Sequence, residues 1–282
     1  MQVERVCIVG LGLMGGSLAL ALRPFLTHLT IVDTDPKTRK AAQDFADLAT
    51  GDLAEGVKEA ELVILATPVR TILRLLAQLP AARPDGCLVM DLGSTKAEIC
   101  RAMEALPPTF QAIGGHPMCG KETAGFGAAA ADLYRGQTFV LCENGRTTPK
   151  IIAIAQEIIA TIGANPLLLP PQIHDNMVAA TSHLPYLVSA ALMQTAAAQN
   201  NEQLWQVSAS GFRDTTRLAG SDPQMLLDIL LTNGTAVLTQ IEAYQTQLDE
   251  IKHLLTKGDE QELAKWLEKV KMSHNKYRSS GV

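Results

Sequence analysis

"VCIVGLGLMGGSLALAL", Val6 to Leu22, runs from a short apolar stretch through a cluster of glycines into a second apolar stretch. The first is brief and rich in Val and Ile, as a buried strand requires, and the second carries small and aliphatic residues at helical spacing. Between them Gly10, Gly12 and Gly15 spell G-x-G-x-x-G. Gly10 permits a sharp turn, Gly12 lets a pyrophosphate approach the backbone, and Gly15 lets the helix pack on the strand. Phosphates then lie at the helix N-terminus, where free N–H groups and the dipole favour anions. Leu13 and Met14 belong to the same expected cofactor-binding turn. Alone the pattern also fits a merely tight glycine-rich connection; its place between strand and helix makes it a dinucleotide signal.

Working outward, "LTIVD" (29–33) is a second strand, and Asp35 with Pro36 reads as an N-cap and first helical position. Asp33 ends that strand 23 residues past Gly10, where a carboxylate accepts bonds from ribose hydroxyls and repels a 2′-phosphate. NAD is the expected cofactor. Thr34, Lys37 and Arg39 follow directly, and a basic group there suits NADP, which stays open as the alternative. Further short apolar runs occur at 61–68, 87–93, 110–115 and 138–143, with helical stretches between them; Thr148 and Pro149 open another helix, and "NPLLLP" (165–170) is the last strand. This alternation predicts a mainly parallel sheet covered on both faces. Beyond residue 170 the strand signal stops. Val237, Ile241, Tyr244, Leu248, Ile251 and Leu255 form an apolar stripe on one helix. The expected organisation is an α/β, Rossmann-type dinucleotide-binding domain over 1–169 and an all-α domain over 170–282.

Composition narrows the function. The 282 residues are 47% hydrophobic and 19% charged, with a net charge of −5 and no basic run, so nucleic acid is not an expected partner. Five cysteines at 7, 87, 100, 119 and 142 form no CxxC pair, which points to reduced thiols in a cytoplasm and away from structural zinc or any other metal. "MQVERVCIVG" lacks the layout of a signal peptide. Asn176 to Asn201 contains no Asp, Glu, Lys or Arg, yet it holds Thr, Ser, His, Pro, Gln and Asn. It reads as a helix buried in the protein or a subunit interface, not as a membrane span.

Ligands of open α/β sheets bind beyond the carboxyl ends of the strands. "ATPV" (66–69, with Thr67 and Pro68), "DLGSTK" (91–96) and "GGHPMCG" (114–120) all occupy such positions. The last of these is expected as a shaped loop, since Gly and Pro suit neither helix nor strand. From the helical half come "TSHLPYLVSAAL" (181–192) and "SGFRDTTR" (210–217).

The set "VGLGLMGGSLA", "DLGSTK", "GGHPMCG", "SHLPY" and "GFRDTTR", in this order and spacing, closely resembles the TyrA family, the prephenate and arogenate dehydrogenases of tyrosine biosynthesis. The resemblance covers nearly the whole chain, with Cys119 standing where the family more often has alanine. It implies oxidative decarboxylation: hydride leaves C4 of the cyclohexadiene for nicotinamide, the 4-hydroxyl loses its proton, and the ring carboxylate departs as CO2. His116 matches the family's catalytic histidine, the base at the 4-hydroxyl. Ser94 matches the serine that orients it and the nicotinamide end. Arg217 matches the arginine on the ring carboxylate, and His183 a position near the substrate side chain; Arg213 either holds substrate or pairs with Asp214. Lys96 is expected to support its loop, and His174 and His253, with polar neighbours, look like surface groups. The resemblance also implies a homodimer through the helical half; some members of the family append a regulatory ACT domain, and this chain is expected to end too soon after its last helix to hold one. Two alternatives remain: a related 3-hydroxy acid dehydrogenase, whose essential lysine has no counterpart in "HDNMVAATSHLPYLV", and a non-enzymatic dinucleotide-sensing module.

Overall fold

The computed structural model describes residues 1–279 apart from 122 and 124. Strand β1 (Arg5–Val9) runs through the glycine turn into α1 (Leu13–Leu22), followed by β2 (His28–Val32), α2 (Pro36–Ala42), β3 (Leu48–Thr50) and α3 (Leu53–Val57). Then come β4 (Leu62–Leu65), α4 (Val69–Ala82), β5 (Leu88–Asp91), α5 (Ala97–Glu104), β6 (Gln111–Pro117), β7 (Thr138–Cys142), α6 (Pro149–Thr161) and β8 (Asn165–Leu168). Among the described residues these strands form one eight-stranded sheet in the order β3-β2-β1-β4-β5-β6-β7-β8. All neighbours are parallel except β6 and β7, where Gly115 faces Leu141 and His116 faces Val140 in antiparallel register.

Both faces of the sheet are apolar because both are covered. Val6 and Ile8 of β1 and Leu62 and Ile64 of β4 point into one core with Leu18 and Leu22 of α1 and Ile154 and Ile158 of α6. Cys7, Val9, Val63 and Leu65 alternate to the other side, against Ile72 and Leu76 of α4 and Ile99 and Met103 of α5. The expected caps form: Asp35 accepts from Lys37 N and Thr38 N, and Thr148 accepts from Ile151 N.

One expectation changes, and one strand is added to those expected. The "GGHP" segment is the end of a strand and not a loop, because the antiparallel partner β7 continues past the parallel ladder and pairs with it as far as Pro117. The three-residue β3 at the sheet edge carries no pattern long enough to announce itself.

The rest of the chain is helical: α7 (Pro171–Val178), a π-helical turn over Ala179–His183, α8 (Leu184–Ala197), α9 (Ser210–Thr216), α10 (Pro223–Thr232), α11 (Gly234–Lys257) and α12 (Glu260–Ser279). By packing, the chain divides into Met1–Gly234 and Thr235–Val282. Residues 169 and 170 lie inside the first unit, because α7 packs on α5 and β7. The second unit comprises α11, from its second residue, and α12, and Leu248 and Leu255 of the expected stripe are exposed there. On α8 only Ser189 is buried. No described helix is long and apolar enough to cross a membrane.

Gly15 is where the first turn is tightest: a Cβ there would lie 2.0 Å from the Gly10 carbonyl oxygen, whereas one on Gly12 meets nothing described within 4 Å. Gly15→Ala is therefore expected to destabilise the fold by about 1–3 kcal/mol. Gly12→Ala should cost about 1 kcal/mol at most, the difference between Gly and Ala at an N-cap; thermal melting of the two variants checks the contrast.

Candidate active site

The glycine turn is held by the acid that follows it. Asp33 Oδ2 accepts the Leu11 N–H at 2.8 Å and Oδ1 accepts the Asp35 N–H at 2.8 Å. Each carboxylate oxygen retains a lone pair for a further donor. Arg39 Nη1 donates to the carbonyls of Asp33 and Thr34 at 2.8 and 2.9 Å, so this guanidinium edge is engaged by the backbone. The carbonyl of Met14 accepts from the buried Tyr134 hydroxyl at 2.6 Å, and Phe126, stacked on Phe45, lies against Gly16.

Across the turn stands Thr67, whose Cγ2 occupies the place a Cβ on Gly10 would take. Gly10 has φ +97°, a conformation glycine alone adopts readily. The Thr67 Oγ1 is buried without a hydrogen-bond partner among the described residues, and Pro68 beside it caps α4. An orphaned hydroxyl on the residue packed against Gly10, together with an open Gly12 at the helix N-terminus, fits a dinucleotide, which would supply the missing partner and the phosphates.

Beyond β5 the chain builds a buried ionic floor. Lys96 Nζ pairs with Asp91 Oδ2 and donates to the Gly115 carbonyl at 2.7 Å, with both side chains fully buried. Asp91 Oδ1 accepts the Gly115 N–H at 3.0 Å and Oδ2 the Gly93 N–H at 2.7 Å. Lys96 thus supports its loop, as expected, and fixes the strand residue immediately before His116.

His116 itself is partly exposed at the end of β6, and its partner is one the sequence did not suggest. His116 Nδ1 lies 2.8 Å from His174 Nε2, and His174 Nδ1 lies 2.8 Å from Asp175 Oδ1. His174 is 1% exposed, not a surface group: α7 lays it against the sheet and Asp175 caps the first turn of α5. Its only sequence signal was an His-Asp pair at the start of a helix. Burial, followed by the neighbouring His174, Lys96 and His183, holds the His116 imidazole well below the usual histidine range.

His183 is buried too, 3.3 Å from the Asn233 side-chain amide, which also donates to the Asp175 carbonyl at 2.8 Å. Burial depresses its pKa to about 4. The π-helical turn re-aims this residue: Leu184 N donates to Ala179 O, five residues back, and Pro185 cannot donate to Thr181 as a regular helix would need.

Ser94 makes no side-chain hydrogen bond among the described residues. Arg213 lies exposed on α9 and Arg217 in the turn that follows, which is fastened to α8 by Ala219 N donating to Ser189 Oγ at 3.0 Å. No ion pair joins Arg213 to Asp214 among the described residues.

Two family models match in succession: "prephenate dehydrogenase, nucleotide-binding domain" over residues 18–168 and "prephenate dehydrogenase, dimerization domain" over 170–269. Prephenate dehydrogenase of Bacillus subtilis is 32% identical over 278 residues, covering 95% of this chain and 74% of that one. The crystal structure of Aquifex aeolicus prephenate dehydrogenase with hydroxyphenyl propionate and NAD+ superposes with a TM-score of 0.92 at 30% identity, covering 98% of this chain and 99% of that one. Synechocystis arogenate dehydrogenase gives 0.84 at 31% identity, covering 97% and 100%. Matched in order along both halves, and so similar to these enzymes in backbone, the chain belongs to the prephenate dehydrogenase family.

Proposed function

We propose that His116 is the base in an NAD-dependent oxidative decarboxylation of prephenate or arogenate, the former leading. One observation carries this reading: His116 is tied back through Nδ1 to His174, leaving Nε2 as the ring nitrogen without a described partner, at the carboxyl end of β6. NAD, when bound, supplies the hydride acceptor. The turn residues Gly10, Gly12, Leu13, Met14 and Gly15 hold its phosphates, Asp33 its ribose, and Thr67, Pro68 and Ser94 the part nearest the substrate. Hydroxyphenyl propionate, with which the Aquifex relative is in complex together with NAD+, has the phenol ring that this reaction makes.

His116 Nε2 accepts the 4-hydroxyl proton as hydride leaves C4. A base of this kind is worth about 10² to 10⁴ in rate. Its neutrality is secured by burial and by the Lys96 ammonium beneath it. Arg217 holds the ring carboxylate, a task for which a planar guanidinium suits. His183 and Arg213 face the side-chain end, and Ser94 orients His116. The functional halves meet at 169/170. The weakly covered, uncharged α8 packs on a second copy, making a homodimer, and five unpaired cysteines suit a cytoplasmic enzyme.

Mixing the purified protein with NAD and either substrate should raise the absorbance of reduced nicotinamide. No rise with prephenate or arogenate, at NAD or NADP, overturns the assignment. His116→Asn should lower kcat by about 10² to 10⁴ with KM little changed. Since only the neutral imidazole acts, and its pKa lies below the ordinary 6.5, the acid limb of kcat/KM in the wild type should fall below pH 6.5. Asp33→Asn removes charge from bonds to ribose worth about 1.5–3 kcal/mol each, so kcat/KM for NAD should drop at least tenfold and the preference over NADP should shrink.

A further inference from the structure

The hydrogen-bond chain behind His116 decides which of its nitrogens is basic. Asp175 is 1% exposed; its Oδ1 accepts the Lys96 N–H at 2.7 Å and its Oδ2 the Ala97 N–H at 2.8 Å. A carboxylate has only acceptor capacity, so the hydrogen shared with His174 sits on His174 Nδ1. A neutral His174 then presents Nε2 as a lone pair, and His116 Nδ1 must be the donor across the 2.8 Å contact. His116 is left with its lone pair on Nε2. A free imidazole side chain favours the opposite tautomer, with hydrogen on Nε2, which is useless as a base in this orientation.

We propose that His174, oriented by Asp175, is a positioning residue that imposes the Nδ1–H tautomer on His116 and takes up positive charge from it during turnover. The proposal rests on the reading of His116 as the base. The proton balance is closed. As hydride leaves C4, the 4-hydroxyl proton passes to His116 Nε2, and the Nδ1 proton passes on to His174 Nε2. The C–C electron pair released with CO2 then completes the aromatic ring, and both protons step back, restoring the hydroxyl on the phenol.

The surrounding charges favour this shift. His116 faces the ammonium of Lys96 from the start of α5 and the imidazole of His183 from the π-helical turn, whereas His174 lies against the Asp175 carboxylate. Asp91 is committed to Lys96 and to backbone N–H groups, and Asn233 brings no charge. The carboxylate thus stands at the His174 end of the chain and the ammonium at the His116 end.

Two variants and one spectrum test this. In the intact enzyme, ¹⁵N spectra of labelled histidine should show neutral His116 as the Nδ1–H tautomer. His174→Phe should shift it toward Nε2–H and lower kcat on the order of 10²-fold, with KM for both substrates within about twofold. His174→Gln, whose amide oxygen can accept from Nδ1–H but not bind a proton, should keep the tautomer and recover kcat only in part. An Nε2–H tautomer in the wild type, or an unchanged tautomer and kcat in a folded His174→Phe variant, overturns the proposal. Should that variant fail to fold, the wild-type spectrum and the Gln variant still decide. The tautomer readout needs no substrate, so it stands or falls separately from the assigned reaction.

Discussion

The ion pair between Lys96 and Asp91 is the constraint on which the site depends. Sealing a carboxylate and an ammonium away from water is costly unless their remaining bonding capacity is used, and here it is: the two groups together also hold Gly115 N–H, Gly115 C=O and Gly93 N–H. Removing one partner of such a pair typically costs about 3–5 kcal/mol, because the other is left charged and buried. What this arrangement obtains is position. The end of β6 is pinned to the end of β5, the residue after the pin is His116, and a fixed positive charge lies beneath an imidazole that must stay neutral.

The reversal of strand direction at β6 and β7 serves the same purpose. A parallel ladder alone would end near Ile113, its last pairing with β5. Antiparallel pairing with β7 extends β6 through the two glycines to His116 and Pro117, so the base rides on a strand and not on a loop. The glycines are needed for closeness: a Cβ on Gly115 would lie 2.5 Å from the Asp91 carbonyl oxygen, and one on Gly114 2.9 Å from Cys100 Sγ.

Much of this was legible in the sequence because it follows from local rules. Apolar runs facing two ways, the glycine turn, the Asp35–Pro36 and Thr148–Pro149 helix starts and the helical character beyond residue 170 all depend on neighbours a few positions away. His174 did not show itself, since polar flanking residues are the usual mark of a surface helix and its burial comes from the docking of α7 on β7 and α5. Asp175 and Asn233 were hidden for the same reason: their partners are a helix start and a histidine 79 and 50 residues distant in the chain. Lys96 was placed correctly as support, but its carboxylate partner Asp91 looked like a strand end and nothing more.

The wide turn at Ala179–His183 bears on how such a protein can diverge. A wide turn takes up one surplus residue within itself, so a single-codon deletion there would restore regular winding and leave the row of α8 side chains facing as before. The turn is thus a local device. What it can re-aim is His183 inside it, while α8 downstream and the nucleotide half upstream keep their geometry.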